Sequence, residues 1–143
     1  MEHFVMEKTG RVLVLKLDQG DYVLESIREM IAKENLKNGV VISGIGTLDQ
    51  SVMHMITTTG YPVGEFYDRR NDEPLELVSI QGFIADGVPH LHTVLSNKLE
   101  TYAGHLEEKC RALYIGEIVI MEVIGPDLTR VKNEHNSLQL TLK

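Results

Sequence analysis

Tryptophan is absent from this chain of 143 residues and aromatic residues make up only 6% of it, so its core must consist mainly of Val, Ile, Leu and Met. The single cysteine, Cys110, excludes an intramolecular disulfide bond and fits a reducing compartment. Positive charge is also scarce, since the chain has 14 Lys and Arg but 21 Asp and Glu, which gives a formal net charge of −7. Nucleic-acid affinity comes largely from clustered Lys and Arg, so the composition predicts weak binding of duplex DNA, or none.

Long apolar runs are missing as well. The best candidate, 112–124, is interrupted by Glu117 and Glu122, which argues against a membrane span. The N-terminus has no basic segment followed by an apolar one, as a secretory signal would. The length and the 43% apolar content are those of an ordinary globular domain. We therefore expect one domain over residues 1–143, soluble and cytoplasmic.

The elements that the chain does contain are mostly strands. One amphipathic helix is predicted from Asp21, as its N-cap, to Lys37, with Gly39 as the left-handed residue that closes it. Polar composition predicts a long loop over 59–73, a turn over 97–104 and a short helical turn over 105–109. Runs rich in branched residues predict strands at 11–17, 40–43, 51–58, 75–84, 88–96, 112–124 and 138–142. This pattern indicates an α+β fold, a largely antiparallel β-sheet with one main helix.

Half of the six histidines lie in one short stretch of the chain. In the predicted strand 88–96, His90 and His92 project from the same face, with backbones roughly 6.5–7 Å apart. Two imidazoles at that separation can converge on one zinc ion at about 2.0–2.1 Å, and Gly104 would let a returning chain bring His105 over the same face. Three imidazoles with an open fourth position form the ligand set of a zinc site that still binds water or substrate. The alternative is a polar strand face whose histidines are satisfied by backbone carbonyls.

Two further residues carry open interpretations. His54 lies between two methionines in a predicted strand, and we interpret it as a packed core residue rather than a ligand. Glu117 stands in the longest apolar strand. One interpretation is that Glu117 orients a metal-bound histidine or water, and on this interpretation it is the only catalytic candidate. The other is that it faces solvent at a strand edge.

The histidine motif also resembles a known family. The chain is similar to the PPC (plant and prokaryote conserved) domain at Pro89-His90-Leu91-His92, followed by Gly104-His105-Leu106 and by 116–120. Residues 75–82 and Ser43-Gly44-Ile45-Gly46-Thr47 are similar to the same family. The likeness spans residues 11–142. It implies a homotrimer, a transition metal held by histidines, and a fold similar to that of acetolactate decarboxylase, which binds zinc through a histidine triad. Plant members follow AT-hook DNA-binding motifs, whereas prokaryotic members stand alone, as here.

Three functional classes follow from the motif and the resemblance. The first is a trimeric metal-binding module, with zinc as the expected metal at His90, His92 and His105, of a family labelled as candidate DNA-binding or regulatory proteins. The second is a metal-dependent small-molecule enzyme, a hydrolase or decarboxylase, whose ligand occupies the open coordination position. The third is a structural trimer in which the histidines only pack. A closed pocket with an acidic group near the metal would separate the second class from the first.

Overall fold

The computed structural model describes all residues from Met1 to Lys143. It contains one helix and eight strands, which confirms the predicted α+β class with a largely antiparallel sheet. The elements are β1 (Lys8–Asp18), α1 (Val23–Lys33), β2 (Gly39–Ile56), β3 (Glu65–Ala85), β4 (Val88–Ser96), β5 (Thr101–Leu106), β6 (Arg111–Ile124), β7 (Leu128–Lys132) and β8 (Leu138–Leu142).

Six strands form one antiparallel sheet in the order β1-β6-β2-β3-β4-β5, and β7 and β8 form a separate hairpin. The sheet curls far enough for β5 to pair also with the end of β2. Strands β2, β3, β4 and β5 therefore form a closed ring, sealed by only two residue pairs, Met53 with Leu106 and His54 with His105. This seam, defined by those two pairs, brings residues far apart in sequence onto one surface.

The core lies between α1 and the inner face of the sheet. Because side chains alternate along a strand, Leu13, Leu15 and Leu17 of β1 face this core while Val12 and Val14 point outward. The apolar stripe of α1 is buried against the same cluster, at Val23, Leu24, Ile27 and Ile31. This helix is neither long nor apolar enough to cross a membrane.

The helix is shorter than predicted at both ends. Tyr22, not Asp21, is the N-cap residue, because the Asp21 carboxylate accepts a hydrogen bond from the backbone N–H of Asp18 instead. The helix ends at Lys33, where Asn35 takes the left-handed conformation expected of Gly39. The N–H of Asn35 donates to Ala32 and that of Leu36 donates to Ile31, which is the Schellman pattern.

Several strands differ from the prediction, although β4 and β8 have the predicted bounds. The predicted strands 40–43 and 51–58 lie in or overlap the single strand β2, and residues 101–106, predicted within the turn 97–104 and the helical turn 105–109, form β5. β2 is continuous over the glycines at 44 and 46 because bulges absorb the irregularity. At Gly46 a Cβ would lie 2.5 Å from the carbonyl oxygen of Ile115, so only glycine fits there. The predicted loop 59–73 is wrong from residue 65 onward, since that segment belongs to β3 and pairs with β2. Its charges are matched in place, as Arg70 donates to Asp68 and Glu100.

Candidate metal centre

Four histidines from three neighbouring strands lie on one surface of the ring. His90 and His92 are on β4, and His92 pairs directly with His105 on β5. Across the seam, His105 pairs in turn with His54 on β2. Directly paired residues of antiparallel strands present their side chains on the same face, so His92, His105 and His54 form a row, with His90 beside it. The sheet thus brings the predicted triad together and adds a fourth imidazole.

The rings are in mutual contact. The ring centroid of His105 lies 5.1 Å from that of His90, 5.4 Å from that of His92 and 4.5 Å from that of His54. The His54 and His105 rings are stacked, with planes 25° apart. The centroids of His90 and His92 are 5.5 Å apart. His54, interpreted from the sequence as a packed core residue rather than a ligand, is mostly buried, and its ring belongs to the histidine cluster.

A carboxylate that the sequence analysis did not single out completes the cluster. Glu107 Oε1 lies 2.6 Å from Nδ1 of His54 and 3.2 Å from Nδ1 of His105. One ligand atom each from His54, His105 and Glu107 lies within 4.8 Å of the others, a closeness that His90, His92 and His105 do not reach as a group of three. The cluster is thus four imidazoles and one carboxylate, of which the predicted triad is a part.

The donor set suits a transition metal. Imidazole and carboxylate are common ligands of zinc and its neighbours. Nδ1 of His105 is buried and makes no hydrogen bond, because its contact with Glu107 has unfavourable geometry. A buried polar atom without a partner is costly, and a small rotation of the ring toward Glu107 would satisfy it and leave Nε2 of His105 for a metal ion. The residues present therefore fit a metal ion.

Electrostatics favour the ligating form of the rings. Burial lowers the pKa of His105, and repulsion from His54 lowers it further, while Glu107 acts in the opposite direction. Burial also lowers the pKa of His90, with added repulsion from His105 and from Arg130. A lowered pKa keeps these imidazoles neutral to lower pH, and only a neutral imidazole binds a metal.

An open cleft of about 440 Å³ lies over the cluster, lined by His54, Met55, Ile56, His90, His92, Ala103, Gly104 and His105. Glu107 is not among the lining residues, so it contacts the rings on the side away from the cleft. Glu117, the catalytic candidate, is exposed and lines a different depression with Ile45 and Val78. Glu117 is thus exposed and away from the histidines, although β6 is an inner strand of the sheet and not an edge. Glu107 takes the place beside the histidines that Glu117 was expected to have.

Solved structures share this fold over nearly the whole chain. The metal-containing protein AF0104 from Archaeoglobus fulgidus superposes with a TM-score of 0.82 at 24% identity, covering 100% of both chains. A plant- and prokaryote-conserved protein from Pyrococcus horikoshii gives 0.78 at 24% identity, covering 100% of this chain and 99% of its own. A candidate DNA-binding protein from Bacteroides thetaiotaomicron gives 0.77 at 15% identity, covering 97% of each chain.

Curated relatives match this chain over only a small part of their own length. The bifunctional protein GlmU of a Synechococcus strain is 26% identical over 113 residues, which are 78% of this chain but only 17% of GlmU. The chain therefore spans about a sixth of the length of that relative. The model of the Plants and Prokaryotes Conserved (PCC) domain, by contrast, matches residues 5–124 and so includes all four clustered histidines and Glu107. The chain belongs to this family, the one that its histidine motif resembles.

Proposed function

We propose that this protein binds one divalent transition metal ion per subunit, with His90, His92 and His105 as ligands and zinc as the expected metal. The observation that carries the proposal is the convergence of these rings, at centroid distances of 5.1–5.5 Å, beneath one open cleft. A fourth position on the metal would face the cleft and remain open to water or a small ligand.

The hydrogen bonding of the cluster supports this proposal over simple packing. A packed histidine normally has both ring nitrogens satisfied by the protein or by solvent. His90 and His92 are exposed at the cleft and their rings make no hydrogen bond within the chain, and the inner nitrogen of His105 is buried without one. The rings of His90 and His92 thus have no protein partner, and their nitrogens are available to a metal ion at the cleft. The relative from Archaeoglobus, described as metal-containing, has the same fold.

The test is the metal content of protein purified without chelator or metal-affinity tag. We expect about one equivalent of metal per subunit by elemental analysis. His92→Ala should lose most of it while remaining folded, because His92 is exposed and the core is aliphatic. His135→Ala is the matched control, because this histidine stacks on Tyr61 outside the cluster. Full metal content in His92→Ala would refute the assignment of His90, His92 and His105 as the ligands.

We further propose that the functional unit is a homotrimer, as the family resemblance implies. Large apolar side chains are exposed on the outward face of four neighbouring strands, namely Val12, Val14, Ile115, Ile42, Ile45 and Val78. An exposed face of this kind on a soluble domain usually marks an interface. Sedimentation equilibrium should give three times the 16.1 kDa mass of the chain. A monomeric mass over a wide concentration range would exclude the trimer.

A further inference from the structure

We propose that His54 is a ligand-selecting residue: held by Glu107, it presents its Nε2 to the cleft as a hydrogen-bond acceptor for a small molecule on the metal. Such a site favours ligands that carry a hydroxyl or N–H group next to the metal-binding atom, such as hydroxamates or hydroxy acids. This inference rests on the metal site proposed above and adds to it the class of ligand.

The contact with Glu107 determines which nitrogen of His54 carries the proton. An ionised carboxylate can only accept hydrogen bonds, so the 2.6 Å contact requires Nδ1 of His54 to be the donor. In the neutral ring the other nitrogen, Nε2, then has a free lone pair. A carboxylate behind a histidine fixes its tautomer and orientation in this way in many metal and catalytic sites.

The position of the ring directs that lone pair toward the cleft. His54 lines the cleft whereas Glu107 does not, so the side of the ring opposite Glu107 faces the cavity. The ring is held between two neighbours, the stacked His105 at 4.5 Å and the tilted Tyr67 at 5.4 Å between centroids. Its side chain is only 19% exposed, which limits its rotation.

The rest of the cleft provides no other side-chain group that fits this role. The lining residues other than histidine are Met55, Ile56, Ala103 and Gly104. These residues have no polar side-chain atom, apart from the weakly accepting sulfur of Met55. With the triad nitrogens committed to the metal, Nε2 of His54 is the strong side-chain acceptor left for a bound molecule. A ligand with a donor group would satisfy it, whereas a simple anion would place an acceptor against an acceptor.

The tautomer can be tested on the metal-free protein by ¹⁵N NMR of the imidazole nitrogens, at about pH 8, above the ordinary histidine pKa of about 6.5. We expect the Nδ1–H form for His54. Glu107→Leu should lose it, whereas His135→Ala should keep it. An Nε2–H tautomer in the unaltered protein would overturn the proposal whether or not the metal site exists.

The selection can be tested with cobalt(II)-loaded protein, whose visible spectrum responds to a change of ligand. Acetohydroxamate has a donor beside its metal-binding oxygen, whereas azide has none. We expect His54→Ala to weaken acetohydroxamate binding about fivefold, as the loss of one hydrogen bond does, and to leave azide binding within about twofold.

The possible failures of the cobalt experiment differ from one another. Equal effects on both ligands, or an effect on neither, would overturn the role of His54. Loss of cobalt itself in His54→Ala would make His54 a metal ligand and overturn its selecting role. Absence of a cobalt spectrum from the unaltered protein would instead refute the proposed metal site, and the ligand selection with it.

Discussion

Gly104 offers a way to disturb the cluster without removing a ligand. It precedes His105 on β5, is buried, and lies where β5 approaches β2. A Cβ at this position would lie 2.8 Å from the backbone carbonyl oxygen of His54 and 3.3 Å from side-chain atoms of Met53 and Met55. Because the nearest atom is backbone, the methyl group of Gly104→Ala can fit only if β5 moves away from β2.

The size of the effect follows from that distance. Ordinary contact begins at 3.4 Å, so the carbonyl contact is too short by about 0.6 Å. Overpacking of this kind typically costs about 1–3 kcal/mol. At about 4 °C per kcal/mol for a chain of this size, the melting temperature should fall by about 4–12 °C. The same shift moves His105 away from its neighbours, and we expect zinc affinity to fall about tenfold or more, as for other changes that misorient a ligand.

The assay is urea unfolding of the metal-free protein, followed by zinc titration against a competing chelator, with protein concentration held constant because assembly affects stability. Gly60→Ala is the matched control, since a Cβ there meets nothing within 4 Å. If Gly104→Ala matched Gly60→Ala in both stability and zinc affinity, the close approach of β5 to β2 and its role in the site would be refuted.

Two other predictions concern pH and DNA. The pKa values of His90 and His105 are lowered in the folded protein. Below about pH 6.5 the unfolded chain therefore binds more protons than the folded one. The free energy of unfolding of the metal-free protein should then decrease as the pH falls through that range. Urea unfolding at several pH values should show a shallower dependence for His105→Ala, and an equal dependence would contradict the assignment. Duplex DNA should bind weakly or not at all near physiological salt, given the net charge of −7. Tight binding with a steep salt dependence in a fluorescence anisotropy titration would exclude this.

The histidine strand and its turn could be predicted because they depend on local rules. Alternation along a strand put His90 and His92 on one face, and Asp86-Gly87 forms the predicted turn with positive φ at both residues. The end of the helix was predicted less well, because Gly39 and Asn35 both suit a left-handed cap. Packing decided between them, since Leu36 after Asn35 is 1% exposed.

The complete cluster could not be predicted, because it depends on long-range pairing. His54 meets His105 only through the register of β2 with β5, which local pattern does not specify. Glu107 did leave a signal, since it stands two residues after His105 and would share its face in an extended chain. Assigning 105–109 to a helical turn concealed that relation. The charged segment from Glu65 to Glu73 resembles a loop in the sequence because β2, the strand with which it pairs, lies elsewhere in the chain.

The two residue pairs that close the ring also bear on how the protein opens. A ladder this short has few hydrogen bonds to break, so local opening between β2 and β5 should cost much less free energy than global unfolding. Because His90, His92 and His105 all lie on β4 and β5, a metal ion bound by them would stay in place when β2 separates from β5, and only His54 would leave the cluster. Amide hydrogen exchange at the seam should therefore report this opening with the ion bound as well as with the ion removed.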